Sequence, residues 1–481
     1  MRSVILLLVA TCLTLANVPL PVRADGPARY IHYEEAAPIL EALQEALPSE
    51  LRKTRMSELP AAWRTWVQQR DWEIRARLVQ GDEDSIVNFL LFGTSFTRRP
   101  RITLASLAQF SDKLANSVNT SPEVASFLDS IKARADDLIH AMTLSSANER
   151  VLFARRVVEG KGFDPKTLIG RTRVKDYLLA SLIRVLKEQS SNAKILQSAQ
   201  LLGDPSAEFA ERSRLFSNRG LSSDTSLLPN FALERALSSI KAQGMLGAGS
   251  VRRVAIIGPG LDFTDKQDGY DFYPQQTIQP FAIIDTLLRL GLARAANLKI
   301  TTLDLSPRIN DHIRRARARA QSGGGYVVQL PREPQGRWTP EALNYWTKFG
   351  DQIGVQVVPV SVPAGAGDVK VRAVRIRPAI VLSIAPEDLN IVVQTLESAA
   401  AERFDLIIAT NILVYYDVFE QSLALANIEH MLRPGGFLLS NNALLELPSS
   451  RMHSVGYETV EYSDKASDGD HIVWYQRAAD K

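Results

Sequence analysis

The sequence predicts an α/β protein: a mostly parallel sheet covered by helices on both faces and closed by an antiparallel hairpin, preceded by an all-α domain. Three observations carry this prediction. From Tyr30 to about Lys241 apolar residues recur at helical spacing, from Val251 onward short apolar runs alternate with helical ones, and Gly244-Met245-Leu246-Gly247-Ala248-Gly249-Ser250 forms a flexible seam between them. At 481 residues, 45% hydrophobic and 23% charged, the chain has ordinary globular composition. At about 100 to 200 residues per domain it accommodates two domains.

The first element is a leader. Arg2, the apolar run Val4 to Ala16, Pro19, Pro21 and Val22-Arg23-Ala24 follow the pattern of a secretory signal peptide over residues 1–24, cut after Ala24. This predicts export to the periplasm or the extracellular space. The alternative is an uncleaved N-terminal anchor with the body in the cytoplasm, for which the run falls short of the roughly 20 apolar residues of a spanning helix. The single cysteine, Cys12, lies in this leader, so a processed chain has no disulfide, Cys-ligated zinc or cysteine nucleophile.

Residues 25–243 read as a helical, bundle-like domain. Ile39-Leu40-Leu43-Leu47, Trp63-Trp66-Val67, Ile74-Leu78, Ile86-Phe89-Leu90, Leu128-Ile131-Leu138-Ile139 and Leu178-Leu182-Leu186 each place apolar groups on one stripe. Trp63, Trp66 and Trp72 fit interhelical packing rather than a ligand cage. The polar stretch Arg219 to Ser226 suits a loop folding over a ligand, although helix capping by Asp224 or Ser226 is the plainer account.

After the 244–250 linker, residues 251–481 alternate strand and helix. Val251 to Ile257 reads as a strand, Ile278 to Leu290 as a helix, Leu298 to Leu303 as a strand and Asp311 to Ala320 as a helix. Ala379-Ile380-Val381-Leu382 reads as a third buried strand, followed by a helix over Leu389 to Ala401. Phe404 to Ala409 is a fourth strand, Val418 to Leu432 a helix and Gly436 to Ser440 a fifth strand. Such alternation implies parallel pairing. Tyr457 to Tyr462 and His471 to Arg477 form the closing hairpin. Residues 323–377 are a Gly/Pro-rich insertion with strand-like runs at Val355 to Val360 and Val369 to Ile376, expected as a small β-rich flap bordering the ligand.

The formal net charge of +3 is no nucleic-acid signature. Arg314, Arg315, Arg317 and Arg319 read as one solvated helix face rather than a phosphate patch. The six histidines show no paired ligand spacing, so no metal site is expected.

Chemistry is concentrated at the strand ends. Val254-Ala255-Ile256-Ile257-Gly258-Pro259-Gly260-Leu261-Asp262 is a buried strand running into Gly-x-Gly, where backbone can approach a ligand closely at the carboxyl edge of the sheet. Phe263 stands where a dinucleotide fingerprint has its third glycine, which argues against NAD. The second strand ends at Asp304, whose carboxylate can accept both hydroxyl protons of a ribose; helix capping is its simpler alternative. The glycine-to-acid spacing exceeds the usual value of about 20 residues because Thr264 to Pro280 is inserted, a loop expected over the ligand mouth.

The fourth strand and its exit read FDLIIATNILVYYD from Phe404 to Asp417, followed by LRPGGFLL from Leu432 to Leu439. In this order the segments of residues 231–481 resemble a class I S-adenosylmethionine-dependent methyltransferase, and TNILVYYD is similar to the corresponding segment of the chemotaxis-receptor glutamate methyltransferases. The resemblance implies a Rossmann-like, seven-stranded sheet, S-adenosylmethionine as cofactor, and methyl transfer governed by positioning and desolvation. It places Gly258 and Gly260 against the methionine part of the cofactor, Asp304 on the ribose, and Leu305, Asp388 and Leu389 around the adenine. Asn411 falls beside the sulfonium, and Tyr415 and Tyr416, the candidate catalytic residues, face the methyl-acceptor side, with ordinary packing as their alternative. Ile256 occupies a position often acidic in this family, with Asp262 as the candidate substitute. The acceptor is not readable. An export leader also conflicts with a cofactor made and kept in the cytoplasm; the alternative is an exported, non-catalytic interaction protein on a degenerated methyltransferase fold.

Overall fold

A computed structural model describes residues 26–55, 57–103, 106–107, 109–110, 121–201, 219–262, 270–333, 337–363, 366–441, 443–464 and 468–479, with side chains to residue 188 in the helix ending at 201. The leader 1–24 with Cys12, and Phe263, lie outside them.

The amino-terminal part runs β1 (Ala28–Tyr30), α1 (Tyr33–Ala42), α2 (Ser49–Lys53), α3 (Leu59–Phe92), α4 (Pro122–Thr143), α5 (Glu149–Gly160), α6 (Leu168–Leu201) and α7 (Leu228–Ala242). It is helical except for β1. Pro at the first or second position starts α3, α4 and α7, where the missing N–H costs nothing. Ser121 and Asn148 accept hydrogen bonds from the first backbone N–H groups of α4 and α5.

The rest follows as β2 (Arg253–Ile257), α8 (Gln279–Arg289), β3 (Lys299–Asp304), α9 (Pro307–Gln321), β4 (Tyr326–Arg332), α10 (Pro340–Lys348), β5 (Gly354–Val357), β6 (Lys370–Ile376), α11 (Pro378–Leu382), β7 (Ile384–Asp388), β8 (Gln394–Leu396), β9 (Phe404–Ala409), α12 (Val418–Met431), β10 (Leu432–Ser440), β11 (Met452–Glu461) and β12 (Gly469–Arg477). Seven strands form one sheet in the order β11-β12-β10-β9-β2-β3-β7. β7, β3, β2, β9 and β10 are parallel, while β12 runs antiparallel to both β10 and β11. The chain winds outward from β2 to β3 and β7, then returns to β9 on its other side. That switch point is where an open parallel sheet leaves a crevice for a ligand.

Strand alternation builds two core layers. Val254 and Ile256 of β2 and Leu406 and Ile408 of β9 point into one, with α7, α8 and α9. Ala255, Ile257 and Ile407 point into the other, with α12, α1 and the first half of α3. The second half of α3, from Ile86 to Phe92, instead packs with α4, α5 and α6 in a third core. At about 1.5 Å per residue α3 is about 50 Å long, so one rod belongs to both the sheet and the bundle.

Three elements differ from the sequence reading. Ala379 to Leu382 is not a strand; it lies in the short helix α11, opened by Pro378, and the third strand is Ile384–Asp388. A short apolar run is ambiguous between the two by periodicity. Pro386 stands within β7, which tolerates it as an edge strand with β3 as its only partner among the described residues. The expected helix over Leu389 to Ala401 is also absent: β8 pairs antiparallel with β1, from Ala28↔Leu396 to Tyr30↔Gln394. The sheet face that a crossover helix would cover is covered by α1 and α3, through Ile39, Trp63, Val67 and Ile74. Trp63 donates Nε1–H to the Ile31 carbonyl at 2.9 Å and stacks on Trp66 at 5.1 Å, whereas Trp72 is exposed.

The 323–377 insertion is β-rich as expected, with a three-stranded antiparallel sheet in the order β4-β6-β5, a strand more than the sequence suggested. It packs into the α8 layer rather than standing free, through Tyr326, Leu330, Trp346 and Val374.

Candidate functional site

At the switch point β2 ends in two glycines of left-handed conformation, Gly258 at φ 64° and Gly260 at φ 67°. The turn is fixed by the Gly258 N–H, which donates to the Leu303 carbonyl of β3 at 2.8 Å. A β-carbon at Gly258 would come within 2.2 Å of the Ile412 Cδ1, and one at Gly260 within 2.9 Å of Thr225 Cβ. Backbone conformation favours glycine at both positions, and at Gly260 the close approach of residues 223–225 adds to it.

A cavity of about 50 Å³ lies against this turn. Its walls include Gly258, Gly260, Asp304, Leu305, Ile309, Leu389, Ile391, Ile412, Tyr415 and Tyr416 from the sheet edge, Leu221, Ser222 and Ser223 from a strap, and Leu78 from α3. Seven positions expected at the site thus meet: Gly258, Gly260, Asp304, Leu305, Leu389, Tyr415 and Tyr416. Asp304 is buried, its Oδ1 accepts the Ser306 N–H at 2.7 Å, and burial pushes its carboxyl up to about 7. Tyr416 is buried and its phenol is pushed up for the same reason.

Three expected residues do not line this cavity. Asp388 forms an ion pair with Arg75 of α3 at 2.7 Å, part of a network in which Asp71 accepts from Arg75, Asn390 and Tyr30 at 2.9 Å each. Asp262 is buried and accepts from Tyr273 Oη at 2.7 Å and Gln276 Nε2 at 2.9 Å, while its backbone carbonyl accepts from Arg150 at 3.1 Å. It organises its own loop outside the cavity, and Ile256 is a core residue. Asn411 is exposed, with φ 59°, and its side chain and backbone N–H both bind Asn441 at the end of β10. Its neighbour Ile412 enters the cavity instead.

The loop after β2 is expected over the ligand mouth. Its described part, from Tyr270 onward, turns the other way: Asp271 accepts from the backbone and hydroxyl groups of Thr94 and Ser95, pinning the loop to the end of α3. No described residue of the insertion lines this cavity either; the insertion buttresses the loop, the Gln329 N–H donating to Gln276 Oε1 at 2.8 Å. Leu221, Ser222 and Ser223 of the strap do line the cavity. Neither Asp224 nor Ser226 caps α7, whose cap residue is Leu227 with no side-chain hydrogen bond.

The strap is held by α3. Arg77 donates from Nε to the Arg219 carbonyl at 3.0 Å and from a terminal nitrogen to the Tyr415 carbonyl at 2.9 Å, and its own carbonyl accepts the Leu221 N–H at 3.2 Å. One turn on, Gly81 lets the strap touch the helix: a β-carbon there would lie 1.8 Å from the Leu221 carbonyl oxygen. Sequence reasoning missed Leu78, Ile391, Ile412 and Arg77. Leu78 was visible only as one member of an apolar stripe, and nothing local marks Arg77.

A second cavity of about 190 Å³ adjoins through Ser222 and Tyr415 and extends between α3 and α6, lined by Asp84, Ser85, Asn88, Phe92 and Val185 among others. Among the described residues no cluster of His, Cys, Asp or Glu could hold a metal ion, and no helix is long and apolar enough to cross a membrane.

No family profile matches the chain, and no curated protein does. Solved structures that align with it include a glycopeptide N-methyltransferase, MtfA, complexed with S-adenosylmethionine, at 12% identity over 53% of this chain and 80% of that one, TM-score 0.21. The citrinin polyketide synthase CMeT domain aligns at 11% identity over 94% and 99%, TM-score 0.27. An O-methyltransferase family 2 protein from Planctomyces limnophilus, complexed with apigenin, aligns at 11% over 82% and 94%, TM-score 0.23. Superpositions this loose carry no argument about the chemistry of this chain.

Proposed function

We propose that the chain is an S-adenosylmethionine-dependent methyltransferase whose cofactor lies over the carboxyl ends of β2 and β3. The observation that carries this reading is the convergence, at the switch point of a seven-stranded sheet, of a left-handed Gly-x-Gly turn and a buried acid ending the neighbouring strand. The chemistry of the walls fits the cofactor: Asp304 offers a carboxylate to the ribose hydroxyls, and Leu305, Leu389 and Ile391 offer apolar flanks to the adenine. When bound, the cofactor supplies an electrophilic methyl group. The chain's own residues orient it, exclude water and present the acceptor, with Tyr415 as the wall between the cofactor cavity and the 190 Å³ chamber proposed for the acceptor.

The 50 Å³ cavity is too small for a nucleoside, so binding requires Ile412 and the strap to withdraw. That same observation favours a second reading, an exported interaction protein on a degenerated fold, in which Ile412 permanently fills the glycine cradle. Titration of the chain with S-adenosylmethionine and its demethylated product, beside Asp304→Ala, separates the two. Residues 1–24 are proposed as the export signal, tested by sequencing the amino terminus of the secreted form; an intact Met1 in the membrane fraction would favour the anchor.

A further inference from the structure

A third cavity, of about 550 Å³, opens between α5 and α9, away from the glycine turn. Two helices contribute to its walls: Phe153 and Arg156, one turn apart on α5, and Arg308 and Arg315, two turns apart on α9. The Arg308 guanidinium forms the floor, its nitrogens shielded from solvent and its plane over the Phe153 ring at 4.1 Å; burial draws its pKa downward. Arg156 and Arg315 stand exposed at the mouth, and neither has an ion-pair partner among the described residues.

Gln275 also lines the cavity. Its residue is 9% exposed, and its buried amide nitrogen has no hydrogen-bond partner among the described residues. A buried donor left unsatisfied costs about 1 to 3 kcal/mol, which makes it a marker for an absent acceptor. The acids of the lining have other accounts. Asp311 is paired with Arg314 at 3.0 Å and Glu149 sits in the first turn of α5 where the helix dipole favours it, while Asp82 lies beside Arg308 and Arg156, whose charges act against the upward push of burial on its carboxyl. Beside the Asp82 carboxyl the cavity thus carries three guanidinium forks, which match the geometry of carboxylate and phosphate.

We propose that this cavity binds a small oxyanion-bearing molecule, a phosphate or a carboxylate, with Arg308 at its floor, Arg156 and Arg315 at its mouth and the Gln275 amide as a further donor. The site bridges the helical half and the sheet. It stands whether or not the chain binds S-adenosylmethionine.

The test is calorimetric titration of the full chain with inorganic phosphate and, separately, with citrate, at ionic strength held constant with sodium chloride so that screening is the same throughout. Saturable binding is expected, weakened about tenfold or more in the double variant Arg156→Gln, Arg315→Gln and unchanged in Arg294→Gln, an exposed arginine elsewhere. Binding of phosphate alone assigns the ligand to phosphate compounds, and binding of citrate alone to carboxylates. Arg315→Lys, which keeps the charge but not the fork, retains an intermediate affinity. Both mouth arginines are exposed and unpaired, so the double variant melts at the wild-type temperature and a binding loss cannot be ascribed to unfolding. Absence of binding for both anions, or equal affinity in wild type and double variant, overturns the proposal.

Discussion

Arg77 is the residue through which the helical half shapes the proposed cofactor site. Its guanidinium is largely withdrawn from water, which lowers its pKa, and it spans two walls of the cavity by binding the carbonyls of Arg219 and Tyr415. Replacement by methionine removes both bonds and the buried charge together. Hydrogen bonds from a charged donor contribute about 1.5 to 3 kcal/mol each, and the relief of desolvating no charge offsets part of that. The net expectation for Arg77→Met is a loss of about 2 kcal/mol of unfolding free energy, with the strap and the Tyr415 turn no longer tied. Urea unfolding measures the first effect; cofactor titration measures the second, expected as about a tenfold weaker dissociation constant. Gly456→Ala is the control for stability alone, since its β-carbon would come 2.5 Å from the Trp474 ring, remote from the cavity. Equal destabilisation with unchanged cofactor affinity is expected there. An Arg77→Met protein as stable as wild type and binding the cofactor equally well would refute the clamp.

Ile412→Ala clears the group that sits on Gly258 and is expected to tighten cofactor binding by direct titration, a result that weaker binding would contradict. Asp304, pushed up to about 7 from an ordinary value of about 3.9, stays protonated in the folded chain where the unfolded chain has ionised. Its contribution to stability is therefore lost as pH rises from about 4 through 7, while cofactor affinity, which needs the carboxylate, rises over the upper part of the same range. Chemical denaturation and titration at pH 5, 6.5 and 8 (about those values) check the two opposite slopes, and Asp304→Asn should flatten both. In the bundle, Arg134 is buried and donates to the carbonyls of Leu90 in the last turn of α3 and of Gly93 and Pro100 beyond its end. Arg134→Ala leaves those carbonyls unsatisfied and is expected to cost about 3 kcal/mol or more in urea unfolding; a cost below about 1 kcal/mol would mean that water replaces the guanidinium.

Much of the sheet was legible because its strands are buried on both faces and stand out as apolar runs between turn signals. Phe404 to Ala409 is a strand with the bounds the sequence suggested, and β2, β3, α8 and α12 differ by a residue or two. Legibility failed where tertiary context overrides the local pattern. The run after β7 looks helical, but β8 finds its partner in β1, far away in the chain, and no local spacing reports such pairing. Within the site, Gly258, Gly260 and Asp304 were readable because each is tied to a strand end. Asp262, Asp388 and Asn411 stand outside the cavity because their partners, Tyr273 and Gln276, Arg75, and Asn441, are set by loops and by α3. Arg77 and Leu78 were invisible as site residues, since a helix of the amino-terminal half gives no sign of which side chain reaches another domain's cavity.

The most direct test of the central claim is calorimetric titration of the chain, with and without residues 1–24, with S-adenosylmethionine and its demethylated product, beside Asp304→Ala. The account predicts saturable binding in the wild type and a loss of about a hundredfold in the variant, the worth of about two charge-assisted hydrogen bonds to the ribose. Absence of heat with either ligand, or an affinity untouched by Asp304→Ala, would contradict it and leave a methyltransferase-like sheet that serves as a scaffold.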